Sequence, residues 1–188
     1  MMRDIVHKSV KLLKEGKVIL YPTDTVWGIG CDATNAKAVE KVYKIKKRVE
    51  SKSLIILVED ESRLAGYMQD VPDIAYDLID SVDKPLTVIY PNAKNLAKNV
   101  IAEDKSIAIR VVKNEFCQEL LRQFRKPIVS TSANVSGEPT PVTFHKISQE
   151  VKDAVDYVVE VERDSLNQVK PSTIIKLEAD GTFKIIRK

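Results

Sequence analysis

The chain has little of what builds metal sites, redox motifs or covalent catalysts. Its 188 residues include two cysteines, Cys31 and Cys117, and two histidines, His7 and His145. Neither cysteine sits in a C-x-x-C pair, and no Cys/His spacing suits zinc. The expectation is a reduced, cytoplasmic protein with no metal held by its own side chains. There is no G-x-S-x-G elbow to expose a nucleophilic serine and no G-x-x-x-x-G-K-[ST] loop. The G-x-G at Gly28–Gly30 lacks the third glycine of a dinucleotide fingerprint. These absences argue against P-loop, Rossmann, acyl-transfer and metal-hydrolase chemistry. Aromatic residues make up 6% of the chain and are not interleaved with the basic run, so a base-stacking RNA surface does not stand out. Long apolar runs are missing as well. Charges break every apolar stretch of MMRDIVHKSVKLLKEGK, which is neither a secretory leader nor a membrane span.

With 44% hydrophobic and 30% charged residues, the composition is that of a domain able to bury a core, and one domain over residues 1–188 is expected. The net charge of +3 is too small to indicate a nucleic-acid partner by itself. Its distribution is more informative. Lys37, Lys41, Lys44, Lys46, Lys47, Arg48 and Lys52 crowd one segment against Glu40 and Glu50 alone. That pattern suits an anionic ligand, and from charge alone it suits a solvated helix face equally well.

Apolar spacing predicts an amphipathic helix over 3–15, stopped by Gly16, then a buried strand VILYP leading into a turn, TDTVWGIG. A second helix, capped by Thr34 or Asn35, runs into the basic cluster. Further strands are expected at 54–58, 86–90, 106–111, 127–132, 157–161, 172–177 and 183–187, with helices near 61–69, 73–82, 114–124 and 144–154. Interleaving of the two types predicts a mixed α/β sheet with helices packed on it.

Three polar clusters sit at strand or helix ends, where loops present functional groups on a rigid frame. YPTDTVWGIGCDA, 21–33, offers the hydroxyls of Thr23 and Thr25 beside glycines that let backbone approach a ligand. Lys46 and Arg48, two residues apart, can both reach one polyanion, and Arg can fork onto phosphate oxygens. PIVSTSANVSGEP, 127–139, brings hydroxyls, an amide and backbone N–H groups to a strand end without steric bulk. Each cluster alone is equally readable as a turn or a solvated helix end.

Together with PLTVIY, SIAIRV and PSTIIKL, these segments occur in the order and approximate spacing of the YrdC-like threonylcarbamoyl-AMP synthases, and the resemblance covers nearly the whole chain. The K-x-R and S-x-N signature is intact as Lys46-Lys47-Arg48 and Ser132-Ala133-Asn134. The resemblance implies a twisted, mixed open α/β sheet of the YrdC-like, DHBP-synthase-like type, with flanking helices and a basic concave face. It implies a nucleotidyltransferase that makes threonylcarbamoyl-AMP and pyrophosphate from L-threonine, bicarbonate and ATP, with Mg²⁺ accompanying the ATP. The product would pass to a tRNA threonylcarbamoyl transferase machinery for t6A formation.

Carried over by position, Lys46, Arg48, Ser106, Ser132, Asn134, Thr140 and Arg187 would hold ATP, with Lys46 and Arg48 as the catalytic cations. Thr25, Lys52, Arg110, Ser130 and Ser172 would surround threonine. The chain departs from the family in having Ser53-Leu54 after the basic cluster and Asp83-Lys84-Pro85 before the middle strand. Lys52 falls where relatives often carry a neutral polar residue. The other reading of the same basic face is a non-catalytic module that binds tRNA or double-stranded RNA.

Overall fold

In a computed structural model, which describes residues 1–48, 54–165 and 171–188, nine strands form one open mixed sheet in the order β7-β1-β2-β6-β3-β5-β4-β8-β9. The strands are β1 (Ile19–Tyr21), β2 (Gly28–Gly30), β3 (Ile55–Val58), β4 (Leu86–Tyr90), β5 (Ile107–Val111), β6 (Ile128–Ser132), β7 (Tyr157–Val158), β8 (Thr173–Leu177) and β9 (Phe183–Arg187). Three pairings are parallel: β1 with β7, β3 with β5, and β4 with β8. The mixed α/β sheet is therefore as expected.

Helices cover both faces. On one face α1 (Met2–Lys14) and α4 (Glu115–Phe124) bury Val6, Val10, Leu13, Phe116, Leu120, Leu121 and Phe124 against Ile19, Tyr21, Leu57 and Ile128. On the other, α2 (Ala36–Lys46), α3 (Asp73–Asp80) and α5 (Gln149–Ala154) pack on Leu20, Ile29, Ile56, Val88, Ile109, Val129 and Ile175. Strand alternation divides the two sets, since neighbouring residues point to opposite faces.

Four expectations need correction. The segment taken as a turn, TDTVWGIG, contains β2, which pairs antiparallel with both β1 and β6. Two glycines in three residues hide a strand whose partners supply its order. Residues 61–66 form a 3₁₀ helix, not an α-helix. The helix expected over 144–154 splits into a 3₁₀ turn at Phe144–Lys146 and α5, because Ser148 intervenes as a cap whose Oγ accepts the Val151 amide. The strand at 157–161 shortens to two residues. Among the described residues, no helix is long and apolar enough to cross a membrane.

Candidate active site

The last turn of α2 determines where the basic residues go. Asn35 starts the helix by accepting the Lys37 and Ala38 amides at 3.1 and 3.2 Å, which selects it over Thr34 as the cap. At the other end Lys47 adopts a left-handed conformation, φ 49°, and Arg48 N donates to Tyr43 O at 3.0 Å. The helix thus stops between Lys46 and Arg48. The crowded cations then divide their roles. Lys41 donates to Gly16 O, Lys44 pairs with Glu40, and Lys47 pairs with Glu150, so these three serve the local fold.

Lys46 behaves differently. It is 3% exposed, and its Nζ donates to Ser132 O at 2.6 Å, to Asn134 Oδ1 at 3.1 Å and to Ser132 Oγ at 3.4 Å. All three acceptors are neutral. Burial, with the nearby Arg48 charge second, pushes its pKa down to about 8. The Lys46 carbonyl accepts the Ser136 amide at 2.9 Å, so main chain and side chain both tie α2 to the loop after β6. Asn134 is held in turn by donating its amide to Glu138 O at 2.7 Å and Val135 O at 3.2 Å. This arrangement makes a positively charged corner whose hydrogen bonds tie α2 to the loop after β6. It fits an anion, because an incoming negative charge would meet an ammonium with no carboxylate partner among the described residues.

The remaining candidates follow from strand register. Arg110 lies opposite Thr87 on one side and Leu57 on the other, while Ser130 and Ala108 both face Ile55. Cross-strand partners share a face, so Thr87, Arg110, Ser130 and Ser132 lie on the side that α1 and α4 cover elsewhere. With strands about 4.8 Å apart, β5 and β6 lie roughly 10 Å from one another across β3. Gly28 lies opposite Ser132, and a methyl group there would meet Ser130 Oγ at 3.1 Å, so the missing side chain keeps this strip open. The Ser130 hydroxyl neighbours the Tyr21 phenol, which burial keeps protonated and which donates to Val129 O at 2.9 Å.

At the far side Ser172 and Thr87 share a buried hydrogen bond of 2.8 Å, and Arg187 donates to Ser172 O through Nε and Nη2 at 3.1 and 2.9 Å. Thr25 is 8% exposed, and its hydroxyl contacts that of Thr23 at 3.1 Å. Both threonines line a crevice with Trp27, Val142, Thr143 and Glu162. Ser106 and Thr140 make no hydrogen bond to these groups among the described residues. The Ser106 hydroxyl donates to Asp104 at 2.6 Å within the turn before β5, and Thr140 is exposed. Lys52 and Ser53 lie outside the described residues.

Sequence reasoning passed over two participants, Thr87 and Asp24. A lone threonine inside the apolar strand LTVIY is the signal for the first. Asp24, between two threonines, forms a buried ion pair with Arg110, Oδ1 to Nε, at 3.2 Å.

The Sua5_yciO_yrdC family profile, described as telomere recombination, matches residues 11–188. The chain belongs to the Sua5/YciO/YrdC family. Two curated relatives are a threonylcarbamoyl-AMP synthase of Pseudoalteromonas translucida and a putative threonylcarbamoyl-AMP synthase of Methanocaldococcus jannaschii. The first is 36% identical over 90% of this chain and 91% of its own length; the second is 38% identical over 93% and 81%. Among solved structures, P. abyssi Sua5 complexed with L-threonine matches with a TM-score of 0.89 at 24% identity, over 100% of this chain and 54% of that one. At that identity the likeness establishes the Sua5/YciO/YrdC fold.

Proposed function

We propose that the protein is a threonylcarbamoyl-AMP synthase. The observation that carries this reading is the Lys46–Ser132–Asn134 corner, a buried cation held by neutral acceptors and set beside the Arg110–Ser130 strip. The names of the curated relatives supply the reaction class.

In this proposal Lys46, Arg48, Ser132, Asn134 and Arg187 hold the ATP phosphates and nucleoside, with Ser106 and Thr140 at the margin. Thr25, Arg110, Ser130 and Ser172 surround L-threonine, to whose carboxylate Arg110 donates. The threonine amine and bicarbonate combine to a carbamate with loss of water. A carbamate oxygen then attacks the α-phosphorus, the P–O bond to the β-phosphate breaks, and pyrophosphate leaves. No residue becomes covalently attached, so the protein's task is to align reactants and neutralise phosphate charge. Lys46 and Arg48 supply that charge.

Among the described residues no group of three or more His, Cys, Asp or Glu is placed to hold a metal ion. A Mg²⁺ bound with ATP would take its ligands from phosphate and water, as this ion commonly does. The product would be consumed by a tRNA-modifying transferase.

The test is pyrophosphate release from ATP by the purified protein. Release that requires both L-threonine and bicarbonate supports the proposal. Equal turnover with serine, or without bicarbonate, contradicts it.

A further inference from the structure

Arg110 is central in the sheet, on β5, and its side chain is 5% exposed. A guanidinium so placed needs a counter-charge, since an isolated buried ion is costly. Asp24 supplies it. The Asp24 side chain is 8% exposed, and its Oδ1 stands 3.2 Å from Arg110 Nε. The contact is an ion pair and not an aligned hydrogen bond, and neither atom has another hydrogen-bond partner among the described residues. Each is therefore the ion-pair partner of the other among the described residues.

The loop carrying Asp24 is fastened from the α4 side. Cys117 Sγ donates to Pro22 O at 3.1 Å, and the Lys113 amide donates to Asp24 Oδ2 at 3.1 Å. On its other flank the Thr25 amide donates to Thr23 Oγ1 at 3.1 Å, and Thr23 Oγ1 donates to Val26 O at 2.7 Å. The carboxylate is thus fixed before any ligand arrives, and it takes the Nε edge of the guanidinium. Neither terminal nitrogen of Arg110 is used by a hydrogen bond among the described residues. Those two nitrogens form the flat edge that matches a carboxylate bidentately.

We infer that Asp24 is the positioning residue of Arg110: by holding Nε it turns the terminal nitrogens toward the carboxylate of the amino-acid substrate. The inference rests on the proposed function for the identity of that substrate. Its physical content is separate, namely that an Asp24 charge orients one edge of Arg110. Asp24 touches no reacting atom. Its removal therefore weakens amino-acid binding and leaves nucleotide binding alone, whereas a purely structural role would lower stability and all activities together.

The experiment uses the full chain, its Asp24→Asn variant and the conservative Asp24→Glu variant. In wild type, ¹⁵N NMR shows a slowly exchanging Arg110 Nε–H, and L-threonine is preferred over L-threoninamide, which lacks the carboxylate charge. In Asp24→Asn the Nε–H signal broadens and KM for threonine rises at least about tenfold, the scale of losing one charge-oriented contact. KM for ATP stays within about twofold, the preference over threoninamide collapses, and Asp24→Glu restores part of it. An unchanged Nε–H signal with an unchanged threonine KM in Asp24→Asn overturns the inference, as does tighter threonine binding, which would make Asp24 a competitor for Arg110. Wild type that shows the immobilised Nε–H but neither binds nor uses threonine leaves the positioning intact and overturns the functional reading instead.

Discussion

Lys46 and Asn134, 88 positions apart in the chain, meet at 3.1 Å in a buried contact between an ammonium and an amide oxygen. Neither Asn134 nor the other two acceptors of Lys46 carries a charge, so among the described residues no carboxylate neutralises this buried cation. Such an arrangement costs stability, and in the proposed function ATP binding offsets that cost.

Replacing Lys46 by Met separates these two effects. Met fills a similar volume without charge, but it leaves Ser132 O and Asn134 Oδ1 without their Lys46 donor, so relief of the buried charge and loss of these bonds offset and the thermal midpoint changes little. ATP affinity falls about 10- to 100-fold, the loss expected for one charge-assisted contact of about 1.5–3 kcal/mol. Differential scanning fluorimetry and calorimetric titration with ATP measure both. A variant that is destabilised but binds ATP normally would make Lys46 a structural strut.

The lowered pKa of Lys46 makes nucleotide binding sensitive to pH. With its pKa at about 8, against an ordinary 10.5, the ammonium is charged at pH 7 and largely neutral by pH 9. ATP affinity falls across that interval, and at pH 8 binding takes up about half a proton per site. For the unliganded protein the sign is opposite. Between about 8 and 10.5 the unfolded chain binds more protons than the folded one, so this group's contribution to stability rises with pH. Calorimetry in two buffers of different ionisation enthalpy reads the uptake, and Arg48→Ala moves the midpoint upward because the Arg48 charge is part of the depression.

Much of this was legible in the sequence. The K-x-R and S-x-N segments stand out as candidate anion-binding chemistry, and nearly every strand falls where its β-branched residues place it. Their meeting was not readable from the residues, because 86 to 88 positions separate the partners and only the sheet brings them together. Burial of Lys46 was hidden too, since a lysine in the last turn of a helix ordinarily stabilises the dipole from solvent. β2 escaped because Gly28 and Gly30 carry no strand signal.

Those glycines give contrasting variants. A Cβ at Gly30 would fall 2.2 Å from Val129 O and 2.6 Å from the Tyr21 ring, so Gly30→Ala forces backbone movement and costs about 1–3 kcal/mol or more. A Cβ at Gly28 meets Ser130 Oγ at 3.1 Å and Thr23 Cγ2 at 3.5 Å, contacts with side chains only. Gly28→Ala folds with a smaller loss and raises KM for the amino acid. Urea unfolding and steady-state kinetics distinguish the two, and equal kinetic defects would contradict the placing of Gly28, opposite Ser132, beside the strip.

Thr87→Val removes the hydroxyl that shares a buried hydrogen bond with Ser172. The expected cost is about 1–3 kcal/mol, because the Ser172 hydroxyl is left without that partner. In a double-mutant cycle Ser172→Ala recovers part of it. Additive losses would show that the two hydroxyls do not couple.

In the proposed reaction the cationic corner and the polar strip join a carbamoylated amino acid to the α-phosphate of ATP. Mass spectrometry of a reaction containing protein, ATP, Mg²⁺, L-threonine and bicarbonate tests it most directly. The expected result is accumulation of threonylcarbamoyl-adenylate, with ¹³C from labelled bicarbonate in its carbamoyl carbon, and its loss in Lys46→Met. A complete reaction that forms no adenylate, from protein that binds ATP, would contradict it.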